Sequence, residues 1–357
     1  MKAIEFRAHG DPDRVLALLE RPVPQPGRGE ARVRILASPI NPSDLLYVRG
    51  RYSGVEPQFP APVGFEGVGI VDALGPGAND VAVGQRVAVI NGQGGNWAQY
   101  AVVPASSLLP APDGIPDQQV ASFVINPASA ILMVRHVLAV PRGEWLLQSA
   151  ADSELGRMVI RLGRRDGIRT LNVVRRREEV AELEALGADA VIVAGERPIP
   201  EQVRDIVGRS GVSYAIDPVV GQTGTEMFEA LAEDGKMLVY GSLTGQPIRV
   251  GDNPRHILSG RRRLEVFWFG YWLPRLDDAG FYPPGRPALF QLADDIEALT
   301  RDGVLVTAPG RTYSLEEISS AVAQAEAVGR HGKVLLIPDQ PDRARTSNLP
   351  GQEPDDE

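Results

Sequence analysis

The chain has 357 residues, a length that suggests two domains of ordinary size. Its formal net charge of −9 argues against a nucleic-acid-binding protein, because neutralising phosphates requires clustered positive charge. It contains no cysteine and only four histidines, none paired at a spacing typical of metal ligands, which excludes disulfides, thiolate nucleophiles and cysteine-ligated zinc.

The chain carries no evident targeting or membrane signal. No apolar run is long enough to cross a bilayer, and the opening segment MKAIEFRAHG has the pattern of a strand rather than that of a signal or transit peptide. We therefore expect a cytoplasmic protein with no membrane partner.

The N-terminal part of the chain alternates short apolar runs with glycine- and proline-rich turns. The runs EARVRILASPI, GVGIVDAL, QRVAVI and WAQYAVV predict β-strands in a compact, mostly β domain over residues 1–122. The pattern then changes at DQQVASFVINPASAILMVRHVL, a long apolar stretch that predicts a helix.

Strands and helices alternate in the middle of the chain. Strand EWLLQSA, a helix from Leu155 to Arg165, strand RTLNVV, helix REEVAELEALG and strand AVIVA follow one another, and then helix PEQVRDIVGRSG, strand SYAID, helix TEMFEALAEDG and strand KMLVYGS. Continuous apolar strands in such an alternation are typical of a parallel sheet covered by helices on both faces. We predict an α/β fold, with a doubly wound, Rossmann-type domain over residues 123–265.

The pattern loses its regularity after this domain. Helices are predicted near PALFQLADDIEALTRDG and LEEISSAVAQAEAV, followed by a last strand, GKVLLIP. We assign residues 266–338 to a return of the chain to the first domain. The polar, proline-containing residues 339–357 predict a disordered tail.

The segment LLQSAADSELGRMVIRLG combines a strand, a tight turn and the start of a helix, as dinucleotide-binding folds do. Where that turn usually carries G-x-G-x-x-G, this chain has Ala151, Ser153 and Gly156. Small residues still allow a tight turn and a close approach of the backbone to a pyrophosphate, and the helix N-terminus attracts the anion. The alternative is an ordinary β-turn-α unit without a ligand.

Two carboxylates, those of Asp152 and Glu154, lie in the same turn. They occupy positions whose side chains can point away from the ligand, and a carboxylate in the first turn of a helix is favourable by ~0.3–1 kcal/mol. We predict that both face away from the pyrophosphate, capping the helix or pairing with an arginine such as Arg157 or Arg176.

Three arginines, Arg175, Arg176 and Arg177, directly follow the second strand of this unit. NAD enzymes usually carry an acidic residue here for the ribose 2′-hydroxyl, whereas NADP enzymes place arginine against the 2′-phosphate. The turn and the arginines are about 20 residues apart, as the fingerprint requires, so NADPH is the favoured cofactor. The alternative is a solvated charge cluster with Glu178 and Glu179 as partners.

The sequence resembles the medium-chain dehydrogenase/reductase family over nearly all of the chain up to residue 338. The segment PAPVGFEGVGIVDALGPG corresponds to the family's GHE-G-G-V-V-x-x-x-G stretch, with Phe65 in place of the zinc-ligand histidine. The resemblance therefore implies the zinc-free branch, with a GroES-like catalytic domain, a Rossmann domain and no metal.

Within that branch the segments INPSDLLYVRGRY, VINPASAILMV, LNVVRRR and VFWFGYW are similar to the NADPH-dependent 2-enoyl thioester reductases of the mitochondrial fatty-acid-synthesis type, which act on enoyl-CoA or enoyl-ACP. Quinone oxidoreductases share a looser form of the first segment, including its final tyrosine. The resemblance implies a catalytic role for Tyr52. It also places at the cofactor Asn126, Ala151, Ser153, Glu154, Leu155, Gly156, Arg175, Arg176, Arg177, Tyr240, Gly241, Ser242, Leu243, Phe267, Trp268, Phe269, Gly270 and Lys333.

Reduction of a 2-enoyl thioester needs a hydride at the β-carbon, a donor to the negative charge that develops on the carbonyl oxygen, and a proton at the α-carbon. We predict that Tyr52 donates to this enolate oxygen, an interaction worth ~2.7–4 kcal/mol where such a donor has been removed. It can supply the proton directly or through water. Tyr47 is an alternative for the same role.

Other polar and aromatic side chains near these motifs are interpreted as structural. Asp44 and Glu66 are expected to satisfy backbone N–H groups or to pair with Arg49 or Arg51. The tryptophans are expected to form pocket walls or interfaces rather than to bind the cofactor as ligands: Trp97, Trp268 and Trp272.

The resembled family commonly dimerises by joining the edge strands of two nucleotide domains. The apolar region RRLEVFWFGYW is suited to such pairing, and we expect a homodimer.

Three functions remain open from the sequence. The first is an NADPH-dependent enoyl-thioester reductase, and the second is a reductase of quinones or other activated alkenes. The third is an NADPH-binding protein with little turnover, a possibility that rests only on the acidic turn.

Overall fold

A computed structural model describes residues 1–52, 54–250 and 260–339 of the chain. It divides into two units, one formed by Met1–Val124 with Ala308–Glu357 and the other by Ile125–Thr307. Except for Asp339, the predicted tail at residues 339–357 lies outside the described residues.

The described elements are numbered in chain order. The strands are β1 (Lys2–Phe6), β2 (Ala17–Glu20), β3 (Glu30–Pro39), β4 (Ala61–Pro62), β5 (Glu66–Leu74), β6 (Arg86–Ile90), β7 (Tyr100–Pro104), β8 (Leu108–Pro110), β9 (Trp145–Gln148), β10 (Arg169–Val174), β11 (Ala190–Val193), β12 (Val212–Asp217), β13 (Leu231–Val239), β14 (Arg263–Val266), β15 (Pro309–Tyr313) and β16 (Lys333–Leu336). The α-helices are α1 (Pro12–Val15), α2 (Pro42–Val48), α3 (Asp117–Val120), α4 (Ile125–Ile131), α5 (Glu154–Asp166), α6 (Val180–Leu186), α7 (Ile199–Val207), α8 (Gly221–Glu229), α9 (Phe269–Trp272), α10 (Ala288–Arg301) and α11 (Ile318–Glu326).

The first unit is rich in β-structure, as its sequence pattern predicts. Strands β2, β1 and β4 form an antiparallel sheet, and a larger sheet has the order β15-β16-β3-β5-β6-β8, with β7 paired to β3. In β3 the side chains of Ala31, Val33 and Ile35 are buried and those between them are only partly covered. This alternation buries one face of the sheet in the core.

The second unit contains a six-stranded parallel sheet in the order β11-β10-β9-β12-β13-β14, which confirms the predicted Rossmann-type architecture. From β9 the chain adds β10 and then β11 on one side. It returns to form β12 on the other side of β9 and then adds β13 and β14 beyond β12. The strand order therefore reverses between β9 and β12. In open α/β sheets, ligands bind at the carboxyl ends of the strands at such a switch point.

The long apolar stretch predicted as one helix is divided in the structure. Helix α3 ends at Val120, α4 begins at Ile125, and a π-helix covers Leu132–Val137. Pro127 lies in the first turn of α4, where its missing N–H is tolerated, whereas within a continuous helix it would remove an internal hydrogen bond. The proline thus explains why the two segments are separate.

The boundary of the second unit differs from the predicted one. The sequence pattern predicts a return of the chain to the first domain at residue 266, whereas in the structure residues 266–307 belong to the second unit. The reason is that α10 packs against α4. The apolar face of α10 includes the buried residues Leu292, Ile296 and Leu299. The return to the first unit begins at Ala308.

No helix within residues 1–52, 54–250 and 260–339 is both long and apolar enough to cross a membrane. The cytoplasmic location stays a prediction.

Candidate active site

The carboxyl edge of the parallel sheet collects most of the residues that were predicted to contact a cofactor. Four segments follow the ends of β9, β10, β13 and β14, and they are residues 151–156, 175–177, 240–243 and 267–270. Because these strands are parallel, the four segments lie at one edge of the sheet, on both sides of the switch point. Asn126, half-buried in α4, belongs to the same unit.

The turn after β9 is tight although it lacks two of the usual glycines. Ala150 has a φ of 49°, a left-handed conformation that is uncommon for residues other than glycine. Ala151 is buried, and its N–H donates to the carbonyl oxygen of Val173 at 3.3 Å. The Oγ of Ser153 accepts a hydrogen bond from the N–H of Gly156 at 3.1 Å and so caps α5. As a hydroxyl, this group keeps its own hydrogen to donate to an anion.

Gly156 is required by the packing of α5 on the turn. A Cβ at this position would lie 2.7 Å from the carbonyl oxygens of Ala150 and Ala151, both of which are backbone atoms. The side chain of Gln148 contacts the same residue, because its Nε2 donates to the Gly156 carbonyl oxygen at 3.0 Å and to Oδ1 of Asn172 at 2.7 Å. The close helix–strand packing of the fingerprint is therefore retained, and the turn fits a pyrophosphate.

The three arginines after β10 are not equivalent. The Nε of Arg176 donates to Glu179 at 2.6 Å, and the Nε of Arg177 donates to Glu196 at 2.9 Å. Arg175 is exposed and has no hydrogen bond or ion pair with any of the residues that the structure describes. Arg176 thus has Glu179 as its partner, as the charge-cluster alternative expected, and Arg177 has Glu196, whereas the guanidinium of Arg175 is available to a 2′-phosphate. The contacts of all three arginines with the cofactor stay predictions.

The carboxylates of the turn act on the two arginines that were predicted as their partners: the charges of Asp152 and Glu154 raise the pKa of Arg157, and that of Asp152 raises the pKa of Arg176. Arg157 pairs with Glu182 at 2.7 Å and donates from Nε to the backbone carbonyl oxygen of Asp152 at 3.0 Å. The pKa of Arg157 is raised. Burial alone would lower it, but the hydrogen bond to Glu182 and the charges of Glu154 and Asp152 outweigh that effect. Ser153, rather than either carboxylate, provides the side-chain cap, so the expected helix capping by Asp152 or Glu154 is replaced by a serine cap.

A polar pair at the switch point was not singled out from the sequence. The hydroxyl of Ser149 donates to Oδ1 of Asp217, and both residues are buried. Asp217 also accepts hydrogen bonds from the N–H groups of Val219 at 2.9 Å and Val220 at 3.0 Å, and burial raises its pKa. Val220 has a φ of 58°, and strained backbone of this kind clusters at ligand-binding turns. The sequence indicates this pair through Asp217, the polar residue that ends the apolar strand SYAID.

The segments after β13 and β14 border the same edge. The hydroxyl of Tyr240 is buried without a hydrogen-bond partner in the described part of the chain, and burial raises the pKa of this phenol. Gly241 lies against Pro218, where a Cβ would approach the Pro218 ring to 3.0 Å. Ser242 and Leu243 are exposed, Phe267 and Phe269 are buried, and Trp268 and Gly270 are half-buried.

Lys333 belongs to the first unit, whereas these four segments belong to the second. Lys333 is 3% exposed, and its Nζ donates to Oδ1 of Asn41, while Nδ2 of Asn41 donates to Oε1 of Glu66 at 2.8 Å. Lys333 is thus part of a buried polar network around the segment that leads to Tyr52. Its predicted contact with the cofactor stays a prediction.

Asp44 has the structural surroundings that were expected for it. Its carboxylate accepts hydrogen bonds from the N–H of Asn41 at 2.7 Å and from the N–H of Phe65 at 3.1 Å. Burial raises the pKa of Asp44 to about 7, and the neighbouring Glu66 contributes to the rise. Arg49 pairs with Asp11 and Glu326, so it does not serve as the partner of Asp44.

The two tyrosines that compete for the catalytic role differ in their surroundings. Tyr47 is buried in α2, with its ring 5.2 Å from that of Phe6 and 5.3 Å from that of Phe65, and burial raises its pKa. Tyr52 is half-buried in the segment between α2 and β4, and its ring centroid lies 5.4 Å from that of Phe65. The exposure favours Tyr52 as the residue that can reach a substrate.

Trp97 does not form a pocket wall or an interface. It is fully buried in the first unit, and its Nε1 donates to the carbonyl oxygen of Pro39 at 3.1 Å. Buried tryptophans usually satisfy their N–H in this way, so this residue belongs to the core. Trp272 is half-buried, with its ring 5.2 Å from that of Phe281.

No group of three or more histidine, aspartate or glutamate side chains within the described ranges is arranged to hold a metal ion. Hydrogen-bond donors of the chain can meet the charge that develops on a substrate oxygen, and Tyr52 is the candidate for this task.

Comparisons with known proteins agree with this arrangement. The family model "Alcohol dehydrogenase GroES-like domain" matches residues 27–113, and the model "Zinc-binding dehydrogenase" matches residues 155–278. The mitochondrial enoyl-[acyl-carrier-protein] reductase of Xenopus tropicalis is 31% identical over 340 residues, which cover 94% of this chain and 95% of the relative. The human enzyme of the same name is 32% identical over 276 residues, covering 76% of this chain and 73% of its own.

Solved structures show the same fold. The crystal structure of a candidate NADPH:quinone reductase from Bacillus thuringiensis superposes with a TM-score of 0.84 at 28% identity, covering 94% of this chain and 98% of that one. A mycobacterial protein solved in complex with NADPH gives a TM-score of 0.83 at 26% identity, covering 95% of this chain and 100% of its own. The GroES-like and Rossmann-type expectations are confirmed.

Proposed function

This chain belongs to the zinc-free branch of the medium-chain dehydrogenase/reductase family, and we propose that it is an oxidoreductase that reduces the C=C bond of 2-enoyl thioesters with NADPH. The observation that carries the proposal is the half-buried Tyr52, packed against Phe65 at the position of the zinc-ligand histidine. The phenol ring of Tyr52 thus lies next to the position that corresponds to the zinc-ligand histidine of the resembled family. The enoyl reductases among its relatives support the thioester as substrate.

The chemistry divides between the cofactor and the chain. When bound, NADPH supplies the hydride that reaches the β-carbon of the substrate. The hydroxyl of Tyr52 donates a hydrogen bond to the thioester carbonyl oxygen, which becomes an enolate oxygen as the β-carbon is reduced. A proton then reaches the α-carbon from Tyr52 or from a water that it holds, so that one hydride and one proton add across the double bond.

The residues proposed to bind the pyrophosphate and the 2′-phosphate lie in the second unit. The hydroxyl of Ser153 and the N-terminus of α5 would bind the pyrophosphate, since the unpaired N–H groups of a helix start attract anions. Arg175 would bind the 2′-phosphate, because a guanidinium matches the geometry of a phosphate and this one has no other partner among the described residues. These contacts support NADPH over NADH.

The substrate class is tested by measuring NADPH oxidation by the purified protein with crotonyl-CoA, a longer 2-enoyl-CoA and benzoquinone. The proposal requires turnover of the enoyl-CoA substrates. Activity with benzoquinone alone would favour the second candidate, a quinone reductase, which the similarity to a candidate NADPH:quinone reductase supports. A protein that binds NADPH but turns over none of these substrates would favour the third, a binding protein with little activity.

The acidic turn is expected to have little influence on cofactor affinity. Replacing both carboxylates, in the variant Asp152→Asn/Glu154→Gln, should change the dissociation constant of NADPH by less than about tenfold, equivalent to 1.4 kcal/mol. The reason is that their charges act on neighbouring arginines such as Arg157. Fluorescence titration of the variant with NADPH measures the effect. Tightening well beyond tenfold would mean that the carboxylates repel the pyrophosphate.

We also propose that the protein forms a homodimer through β14. This strand is at the edge of the parallel sheet, all of its residues are exposed, and Val266 is 75% exposed. An edge strand that meets no further strand among the described residues, and that exposes Leu264 and Val266, favours pairing with a second copy. The variant Val266→Arg should therefore shift the protein toward the monomer in sedimentation experiments.

The matched control is Val83→Arg, a change at a residue of the first unit that is 63% exposed. This variant should not shift the protein toward the monomer. A monomeric unmodified protein would exclude the proposed dimer.

A further inference from the structure

Phe65 is held in place by hydrogen bonds to both polar groups of its backbone. Its N–H donates to Oδ1 of Asp44 at 3.1 Å, and its carbonyl oxygen accepts a hydrogen bond from the N–H of Asn91 at 2.8 Å. The other oxygen of Asp44 accepts from the N–H of Asn41 at 2.7 Å, in the capping box that begins α2. Since Asp44 is fully buried, these bonds tie the Phe65 backbone firmly to α2 and to the segment after β6.

The ring of Phe65 connects the core of the first unit to Tyr52. It packs edge-on against Tyr47, with centroids 5.3 Å apart and an interplanar angle of 60°, and Tyr47 in turn packs against Phe6 at 5.2 Å. On its other side it lies 5.4 Å from the ring of Tyr52, at an interplanar angle of 30°. These four rings, Phe6, Tyr47, Phe65 and Tyr52, form a continuous aromatic row.

Tyr52 belongs to this row and lies outside the described helices and strands. The regular hydrogen bonds of secondary structure therefore do not restrict the orientation of its ring. Packing against Phe65, whose own position is set by its backbone bonds, does restrict it. Aromatic pairs at these separations have a preferred geometry as well as a favourable energy.

We propose that Phe65 is a positioning residue for Tyr52, holding the phenol ring so that its hydroxyl meets the substrate oxygen. This inference rests on the proposed role of Tyr52 as the donor to the enolate oxygen. Phe65 touches no reacting atom in this scheme and acts only through the neighbouring ring. Because a displacement of about 1 Å of a catalytic group can cost up to 10²-fold in rate, loosening the tyrosine lowers the rate without removing any donor.

The first test replaces Phe65 with a side chain that fills space but has no ring. Phe65→Leu is expected to lower kcat for crotonyl-CoA by about tenfold, with KM for crotonyl-CoA and the dissociation constant of NADPH within about twofold of the unmodified protein. Phe65→Met serves as a second variant if the leucine variant does not fold, which thermal unfolding reports. The matched control is Phe59→Leu, because Phe59 belongs to the same aromatic region but contacts Phe6 and His9, and it should retain the full rate.

A double-mutant cycle separates positioning from a merely structural role. In a Tyr52→Phe background the hydroxyl is absent, so Phe65→Leu should cause less than a twofold further loss in kcat. If the two losses multiply instead, Phe65 acts independently of Tyr52 and the inference is overturned. An unchanged kcat in Phe65→Leu, alongside a large loss in Tyr52→Phe, overturns this inference alone. Full activity of Tyr52→Phe contradicts the proposed function of Tyr52 and the inference with it.

Discussion

Replacing Tyr52 with phenylalanine is expected to lower kcat for 2-enoyl thioesters by about 10²–10³-fold, the loss typical of removing one donor to a developing oxyanion. The substitution keeps the ring that packs against Phe65 and removes only the hydroxyl, so the fold of the first unit should be unchanged. Steady-state assays with crotonyl-CoA measure the loss. The dissociation constant of NADPH should stay within about twofold, because the substitution leaves unchanged the groups proposed to bind the pyrophosphate and the 2′-phosphate, Ser153, the start of α5 and Arg175.

The matched control is Tyr47→Phe, which removes a hydroxyl from the neighbouring tyrosine of the same aromatic row. Tyr47 is buried in α2 between Phe6 and Phe65, so this variant should keep its rate even if its stability falls. A loss in Tyr47→Phe with full activity in Tyr52→Phe would transfer the catalytic role to Tyr47. Equal and small effects would show that neither phenol stabilises the enolate oxygen.

The second large effect is expected at Arg175. Replacing it with alanine should weaken NADPH binding by about 10–100-fold, the equivalent of one or two hydrogen bonds between charged groups. Binding of NADH should change little, because NADH has no 2′-phosphate. Titrations of the variant with NADPH and with NADH measure both dissociation constants. The ratio of the NADPH constant to the NADH constant should rise in the variant.

Arg177→Ala is the comparison that tests the structural distinction among the three arginines. Its guanidinium pairs with Glu196, and an exposed ion pair of this kind contributes only about 0–1 kcal/mol, so the arginine is less available to the phosphate but not strongly held. Its loss should weaken NADPH binding by less than the loss of Arg175 does. An equal effect of the two substitutions would mean that Glu196 releases Arg177 when the cofactor binds.

The two missing glycines do not disqualify the cofactor turn. Ala150 adopts the left-handed conformation without being glycine, and the position that tolerates no Cβ is Gly156, where the glycine is retained. The hydrogen bonds of Gln148 to Gly156 and Asn172 add a second connection between the strand and the helix. The turn therefore keeps the close packing that the fingerprint requires with a different set of residues.

Local patterns in the sequence determined much of the architecture. The alternation of apolar strands and helices predicted the parallel sheet, because the period of burial depends only on the neighbouring residues of each element. The same pattern placed the turn at 151–156 and the arginines at 175–177 at one carboxyl edge, which the strand order confirms. Two single positions were also identified from the sequence. Gly156 keeps the last glycine of the dinucleotide fingerprint, and Phe65 replaces the zinc-ligand histidine of the resembled family.

Only the tertiary structure decided which side chains have partners and which remain available. It separated Arg175 from its two neighbours through Glu179 and Glu196, and it extended the second unit to Thr307 because α10 packs against α4. It also moved Trp97 into the core, and it distinguished the buried Tyr47 from the half-buried Tyr52. These outcomes depend on contacts between residues far apart in the chain, and packing of that kind leaves no local periodicity in the sequence from which it could be predicted.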